Sequence, residues 1–459
     1  MSSFLLYNTK SRSIEKFTPL SAPTVTMYAC GPTVYDYTHI GHMRKYVNDD
    51  VLRRTLALLG YDVKHVMNIT DVGHLTNDSD AGDDKFEKKA ITEGKSVWDI
   101  AQFYTDYFHR SMTAVNVLSP THETKATDHI NEMIKLVETL MTKGFAYETK
   151  NAIYFDVSRD PNYGTLSRQK LAEKETAVRD DVVIDPEKRN PADFALWFKR
   201  VGRFADHAMY WPSPWGDGFP GWHIECSAMS MHYLGETIDI HTGGIDHIPV
   251  HHENEIAQSE CATGHEFVRY WVHHDFLTVD GVKMSKSLQN FYNVDDIVAR
   301  NSNPLAVRLM FMQTSYRKPL NFTWESLDVA NLQLKKLHKF AMHQSTVGDL
   351  STPHVEAFTD ALCDDLNTSR ALAVLWEVFN STTLSDTDKW ATILHFDQVL
   401  GLNLAHFPKF TISEEARALA LARDDARQNK DFATSDALRK DLEAMGYEVL
   451  DTPSGTKLI

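Results

Sequence analysis

Long apolar segments are missing from this sequence. No run of about 18 apolar residues occurs, so no membrane-spanning helix is expected. The first ten residues lack a basic region followed by an apolar block, so we expect no signal peptide. We find no internal repeat and no low-complexity tract. The expected location is therefore the cytoplasm.

Positive charge and cysteine are also scarce. The formal net charge is −16, which argues against nucleic-acid binding over the whole surface but leaves a local basic groove open. Four cysteines in 459 residues do not make a disulfide framework in a cytosolic chain. Cys261 and Cys363 are interpreted as small buried apolar residues. Cys30 and Cys226 lie in polar, aromatic-rich and glycine-rich surroundings and need another explanation.

The apolar pattern predicts an α/β fold of several domains, because 459 residues are too many for one core. Val25–Ala29 and Val63–Ile69 are predicted strands, and Tyr46–Leu59 between them is a predicted helix. This βαβ unit indicates a Rossmann-type, doubly wound parallel sheet. The composition changes over residues 144–200, which suggests an inserted connective domain. An α-helical bundle and a small mixed C-terminal domain are expected to follow.

Three local predictions accompany this fold. The acidic segment from Asp71 to Lys89 is interpreted as a solvated loop, with cation binding as the alternative. Phe276–Val279 and the Asp280-Gly281 turn predict a hairpin that leads into Lys283. Helices dominate after about residue 300, and Val355–Phe379 is predicted as one helical stretch.

The stretch from Cys30 to His42 joins the first predicted strand to the first predicted helix. In an α/β sheet, ligands bind outside the carboxyl ends of the strands, beside helix N-termini that favour phosphate. A thiol and two histidines that flank a glycine therefore stand where a ligand is expected.

Cys30, Cys226, His251 and Glu255 are candidate metal ligands. His251 and Glu255 are four residues apart on a predicted helix and so share one face. Two thiolates, an imidazole and a carboxylate are normal zinc ligands. His252 and Glu253 are rival ligands, although they are predicted to point away from the His251 face. The residues alone are also compatible with the alternative to a metal site, which is a polar helix start with two cysteines buried in the core.

His39-Ile-Gly-His42 and Lys283-Met-Ser-Lys-Ser287 are candidate phosphate-binding segments. Glycine allows close approach of a nucleotide, while histidines at a helix start and lysines on a loop supply donors and charge. Each segment also has an ordinary interpretation, as a structural histidine pair or as solvated lysines.

The pairing of these two segments resembles the signature of class I aminoacyl-tRNA synthetases, and longer strings resemble the cysteinyl-tRNA synthetase family in particular. The similarity covers essentially the whole chain. The strings that carry it are Met27–His42, Pro220–Ser230, His251–Ser259, Asp364–Thr368, Lys430–Phe432, Ser435–Arg439 and Asp451–Thr456.

The resemblance implies ATP-dependent ligation of L-cysteine to its tRNA through a cysteinyl-adenylate. It implies one zinc ion on Cys30, Cys226, His251 and Glu255, where the metal would select the substrate thiolate. It also implies Mg²⁺ with the ATP, a monomer, and no partner in a membrane. The residues implied in catalysis are His39, His42, Lys283 and Lys286. Those implied in ATP binding are the same four with Gly41, Gly243, Gly244 and Asp246. Thr70, Trp222 and His241 are implied around the bound cysteine.

The resemblance also gives functions to the domains. The expected units are a catalytic domain (1–120 and 206–290) interrupted by a connective region (121–205), a stem-contact region (291–345), a helical anticodon-binding bundle (346–410) and a C-terminal anticodon-recognition module (411–459). The sequence departs from the family at Pro249-Val250, over Val72–Asp84 and at its last residues.

Two rivals remain on the sequence. One is a related ligase that joins cysteine to an amino-sugar, against which residues 413–456 argue. The other is a non-catalytic paralogue, against which the two intact signatures argue.

Overall fold

A computed structural model of the protein describes residues 3–73, 75–77, 81–169, 185–284, 288, 290–407, 413–452 and 455–458. Within those ranges, no helix has the length and apolar character to cross a membrane. The α-helices are α1 Ile40–Leu58, α2 Lys85–Glu93, α3 Val97–Ala114, α4 Ile130–Thr142, α5 Trp222–Leu234, α6 Glu253–Thr263, α7 Val294–Ala299, α8 Pro304–Met312, α9 Trp324–Met342, α10 Thr352–Cys363, α11 Thr368–Asn380, α12 Asp386–Leu400, α13 Glu414–Gln428 and α14 Phe432–Ala444.

The strands form one large parallel sheet and several smaller sheets. They are β1 Leu5–Asn8, β2 Ser13–Lys16, β3 Thr24–Ala29, β4 Asp62–Ile69, β5 Leu75–Asn77, β6 Ala81–Asp84, β7 His122–Lys125, β8 Ala146–Glu148, β9 Ala152–Phe155, β10 Phe194–Lys199, β11 Gly218–Pro220, β12 Ile238–Gly244, β13 Val268–His274, β14 Leu277–Val279, β15 Val282–Lys283, β16 Leu320–Phe322, β17 Val449–Thr452 and β18 Gly455–Leu458.

The central sheet has five parallel strands in the order β13-β12-β3-β4-β7. Its strand order reverses beside β3, and a ligand crevice is expected at such a point in an α/β sheet. The predicted α/β class is confirmed. The region predicted as an insertion contributes β7 to the central sheet and β8, β9 and β10 to a separate antiparallel sheet, whose last strand is β11. The domain boundaries themselves stay a prediction.

Two local predictions differ from the structure. The segment 71–89 is not a simple loop, because β5 and β6 pair antiparallel and α2 follows. Asp84 is buried and caps α2 by accepting hydrogen bonds from Phe86 N and Glu87 N. The predicted helix Val355–Phe379 is broken, since Asp365 and Leu366 have φ values of 52° and 54°. The Asp280-Gly281 hairpin formed by β14 and β15 is as predicted.

Apolar side chains connect the central sheet to the helices that follow it. One buried cluster includes Val47 of α1, Leu309 of α8 and Phe396 of α12, so these elements share a core. A second cluster covers the other face of the sheet and includes Met133 of α4 and Ile224 of α5. Buried residues of α13, α14, β17 and β18 form a separate small cluster.

Arg308 is the polar link inside the shared core. Its side chain is fully buried, and its Nη2 lies 2.5 Å from Asp50 Oδ2 on α1. The same guanidinium donates hydrogen bonds to the carbonyl oxygens of Leu400 at the end of α12 and of Val115 and Asn116 after α3. A single buried cation thus joins three chain segments from different parts of the fold.

We expect Arg308→Ala to lower the free energy of unfolding by about 3–5 kcal/mol, because it leaves Asp50 buried without this partner. Chemical denaturation measures the loss. Arg110→Ala is the matched control, since Arg110 pairs with Asp295 at the surface and both side chains are more than half exposed. The control should cost no more than about 1 kcal/mol. Similar losses in the two variants would contradict this account of the core.

A buried thiol, histidine and carboxylate site beside a nucleotide-type helix start

Cys30, His251, His252 and Glu255 form a buried cluster at the carboxyl end of β3. One ligand atom from each lies within 4.8 Å of the others, and all four side chains are buried. Glu255 Oε1 lies 2.9 Å from His251 Nε2 and 3.9 Å from Cys30 Sγ. The structure therefore brings together residues that are more than 200 positions apart in the sequence.

His252 differs from its sequence prediction. Its Nε2 lies 3.3 Å from Cys30 Sγ, although helical spacing predicts that it points away from the His251 face. The reason is local: Ile248–His252 form a π-helical turn before α6 begins. Such a turn changes the angular position of successive side chains, and π-turns are frequent at functional sites. Neighbouring histidines can then face the same cluster.

Glu253 points elsewhere, as predicted. Its carboxylate accepts hydrogen bonds from the backbone N–H groups of Gly164 and Ser167. It thus holds the segment 164–167 against the start of α6, whereas Glu255, two residues later, faces the cluster.

Cys226 lies beside the four clustered ligand atoms. Its Sγ lies 3.7 Å from Asn68 Oδ1, and hydrogen bonding to Cys30 together with burial raises the pKa of the Cys226 thiol. Burial also raises the pKa of the Cys30 thiol. Two thiols are therefore held close together in a buried place where each resists ionisation unless a cation is near.

Glu255 carries the negative charge of the cluster. Burial alone would raise its pKa, but His241 and His251 outweigh burial and hold the pKa of Glu255 well below its usual range. His241 Nε2 lies 2.8 Å from Glu255 Oε2. The carboxylate therefore stays ionised with imidazole groups on two sides.

The cluster fits a metal ion. Buried charges in proteins are paired or bind metals, and thiolate, imidazole and carboxylate groups are the usual ligands of zinc. The His251 ring is hydrogen-bonded through its Nδ1 to His223 Nδ1, at 2.9 Å. An outer partner of this kind orients a metal-binding histidine. A buried Cys/His/Glu cluster at this position could thus bind a metal.

The resemblance implies Thr70, Trp222 and His241 around the bound cysteine, and in the structure Trp222 and His241 contact His251 and Glu255 of the cluster. The indole of Trp222 stacks on the His251 ring with centroids 4.3 Å apart. Thr70 is buried and donates to Glu225 Oε2 at 2.9 Å. Trp222 thus contacts the cluster through His251, whereas Thr70 is linked to Glu225 of α5.

His39 begins α1 and caps it. The His39 Nδ1 accepts hydrogen bonds from the backbone N–H groups of Gly41 and His42, so the ring proton must lie on Nε2. Burial and the neighbouring His42 lower the pKa of His39 well below its usual value. The rings of His39 and His42 stack with centroids 3.6 Å apart. A neutral His39 can therefore cap the helix and still donate from Nε2.

The second signature lies against the first. A Cβ atom on Gly41 would come within 2.7 Å of Met284 Cε, so glycine permits this contact. Ile40 N donates to Tyr292 O, and the Phe291 ring packs edge-on against His39. Lys283 is exposed at the end of β15, while Lys286 lies outside the described residues. The two signatures are thus neighbours in space.

Gly243, Gly244 and Asp246 stand at the carboxyl end of β12, next to β3. A Cβ on Gly243 would meet His252 Cε1 at 2.4 Å, so this glycine lets the backbone pass close to the cluster. Asp246 is exposed at the rim. These residues lie at the sheet edge where a nucleotide binds in other α/β proteins.

Asn68 and Lys45 were missed by sequence reasoning. Asn68 Oδ1 accepts from Gly31 N at 2.8 Å, and Lys45 Nζ donates to the Cys30 carbonyl oxygen at 2.6 Å. The available signal for Asn68 was a polar residue inside an apolar strand. Nothing in the sequence pointed to Lys45, which reads as an ordinary charged position on a helix.

Comparisons with known proteins agree with this geometry. The family described as tRNA synthetases class I (C) catalytic domain matches residues 16–332, and the DALR domain family matches residues 357–405. Cysteine–tRNA ligase 1 of Burkholderia lata is 47% identical over 456 residues, covering 99% of this chain and 96% of the relative. This chain belongs to the cysteine–tRNA ligase family. Another member, the cysteine–tRNA ligase of Chlorobium chlorochromatii, is 43% identical, and the alignment covers 98% of each chain.

Solved structures share the fold of this family member. A Mycobacterium tuberculosis methionyl-tRNA synthetase in complex with methionyl-adenylate matches 83% of this chain and 90% of its own, at 16% identity and a TM-score of 0.55. The ternary complex of Agrobacterium radiobacter K84 agnB2 LeuRS with tRNA and LeuAMS matches 85% of each chain, at 13% identity and a TM-score of 0.59. At these identities the likeness concerns the fold alone.

The capping role of His39 gives a prediction for this family member. His39→Ala should lower the free energy of unfolding by about 1 kcal/mol, because the two backbone N–H groups lose their acceptor. His39→Asn should retain most of that stability, since asparagine is a good N-cap residue. Chemical denaturation of both variants tests the difference. Equal stability of the two variants would contradict the capping role.

Proposed function

We propose that this chain joins L-cysteine to its tRNA at the expense of ATP, through a cysteinyl-adenylate, with zinc on Cys30, Cys226, His251 and Glu255. The observation that carries the proposal is that the metal-type cluster and the phosphate-type helix start both draw residues from one short stretch of chain. Cys30 of the buried cluster and the His39–His42 helix start lie on the same strand-to-helix connection, between β3 and α1 of the central sheet.

The amino-acid side chain is recognised at the buried cluster. When bound there, zinc supplies a borderline-soft Lewis acid that favours a thiolate over a neutral hydroxyl group. Trp222, Thr70 and His241 shape the surrounding pocket, and His241 keeps Glu255 ionised and oriented. A site that depends on one chemical partner rejects analogues without it by about 10⁴–10⁵, so no editing domain is needed.

The carboxylate of cysteine then attacks the α-phosphate of ATP in line, and pyrophosphate leaves. His39 donates from Nε2 because its Nδ1 is occupied by the helix cap. His42 donates a hydrogen bond to the phosphates, Lys283 and Lys286 offset their negative charge, and the Mg²⁺ comes with the ATP. Gly41, Gly243 and Gly244 allow the nucleotide to approach the backbone, and Asp246 is placed to accept from the ribose.

In the second step, a terminal ribose hydroxyl of the tRNA attacks the adenylate carbonyl, and AMP leaves. No protein nucleophile takes part. We assign the catalytic unit to residues 1–120 and 206–290, the connective region to 121–205 and stem contacts to 291–345. The anticodon is assigned to the bundle at 346–410 and the module at 411–459. The chain acts as a monomer in the cytoplasm.

The lysine assignment predicts that Lys286→Ala lowers cysteine-dependent ATP–pyrophosphate exchange by more than about 100-fold, since one preorganised charge on the reacting phosphates is worth roughly that much. Lys64→Ala is the matched control, because Lys64 is exposed toward the amino end of the sheet, away from the nucleotide. The control should exchange at the wild-type rate. Intact exchange in Lys286→Ala would remove this lysine from the mechanism.

The zinc assignment predicts a loss of cysteine charging when a chelator removes the metal, with recovery on adding Zn²⁺. Charging of tRNA with cysteine and with serine is measured before and after removal. Zinc-loaded protein should prefer cysteine by about 10⁴-fold or more. Equal serine charging by the loaded protein, or cysteine charging that survives complete removal of the metal, would contradict the assignment.

A further inference from the structure

A second group of potential metal ligands lies away from the buried cluster. His129 precedes α4, Glu132 is in its first turn, and His232 is in the last turn of α5. One ligand atom from each residue lies within 4.8 Å of the other two. His129 is 7% exposed, while Glu132 and His232 reach solvent. The group therefore has one buried member and an open side.

His129 is oriented as a ligand would be. Its Nε2 lies 3.1 Å from Tyr233 Oη, whereas its Nδ1 is buried and, among the residues that the structure describes, has no hydrogen-bond partner. A metal-binding histidine almost always donates its other ring N–H to an oxygen. In the tautomer that donates from Nε2 to Tyr233, the Nδ1 lone pair faces Glu132 and is available to a cation.

The distances between the ligand atoms of His129, Glu132 and His232 are closer to those of a metal site than to those of direct hydrogen bonds. His129 Nδ1 lies 3.6 Å from Glu132 Oε2, and His232 Nδ1 lies 3.9 Å from Glu132 Oε1. Both separations are too long for hydrogen bonds. Zinc with bonds of about 2.0–2.2 Å in tetrahedral geometry holds its ligand atoms about 3.4 Å apart. Glu132 and His232 both reach solvent, so their side chains can adjust to bring the three ligand atoms to this spacing.

We propose that His129, Glu132 and His232 bind a second divalent metal ion of the zinc type, with water in the remaining position. Two imidazoles and a carboxylate suit Zn²⁺, Ni²⁺ or Cu²⁺ better than Mg²⁺ or Ca²⁺. The ion would join the start of α4 to the end of α5. The helix α5 also carries Trp222 and Cys226, which lie beside the buried cluster. An ion at His232 would therefore stabilise the position of that helix.

The test is a titration of Zn²⁺ into the full-length protein already loaded with one zinc ion, followed by calorimetry and by metal analysis of the gel-filtered protein. Wild-type protein should bind one further equivalent. Glu132→Gln and His232→Ala should each weaken that second binding step by more than about 100-fold, since loss of an outer partner alone costs about 10–100-fold. Tyr233→Phe, which removes only the outer partner, should fall in the 10–100-fold range.

His265→Ala is the matched control. His265 is an exposed histidine 3.7 Å from a single glutamate, Glu236, and belongs to no three-residue group in the described chain. The His265→Ala variant should still bind the second equivalent of Zn²⁺. The proposal is overturned if wild-type protein binds no second ion, if both ligand variants retain it, or if the control loses it equally. Added Zn²⁺ should also raise the melting temperature of wild type and control but not of the ligand variants. Failure here would leave the first zinc ion and tRNA charging untouched.

Discussion

The ionised carboxylate of Glu255, which has no solvent exposure, is the constraint on which the site depends. A buried charge is tolerated only when it is paired and hydrogen-bonded. Glu255 meets that condition through His241 on β12 and His251 in the π-turn, and it lies beside Cys30 at the end of β3. Because all of these partners must reach Glu255, the pairing of this one charge fixes the positions of β3, β12 and α6 relative to one another.

The same constraint explains the irregular backbone before α6. A regular helix would place His251 and His252 about 100° apart around its axis, and only one of them could face Glu255. The π-turn at 248–252 brings both imidazoles to the cluster. His252 in turn bonds His273 on β13 at 2.7 Å, so a third strand is joined to the site. A local departure from ideal geometry thus serves a polar network that spans the sheet.

The sequence predicted elements whose causes are local and missed those whose causes are distant. The junction of β3 and α1 and the hairpin at Asp280-Gly281 follow from apolar runs and turn residues. The break between α10 and α11 does not. Asp365 leaves the helix because its carboxylate accepts from Tyr7 N, Tyr316 Oη and Arg317 Nε, which are 48 to 358 positions away. No window of sequence contains those donors.

The candidate site shows the same division. Residue types and the resemblance named His251 and Glu255, which the structure brings into contact. The orientation of His252 could not be predicted, because helical periodicity assumes 3.6 residues per turn and the chain departs from it at that point. Lys45 could not be predicted either, since its partner is a backbone carbonyl that becomes a neighbour only when β3 and α1 are folded against each other.

Lys45 also links the end of β3 to the first turns of α1. Its ammonium group binds the carbonyl oxygen of Cys30 and pairs with Asp49, one turn further along α1. Asp49 is held in turn by His274 at the end of β13. Helix α1, whose N-terminus is capped by His39, thus also holds the peptide group of Cys30 in place. A displacement of α1 would therefore move the His39–His42 segment and the Cys30 peptide group together.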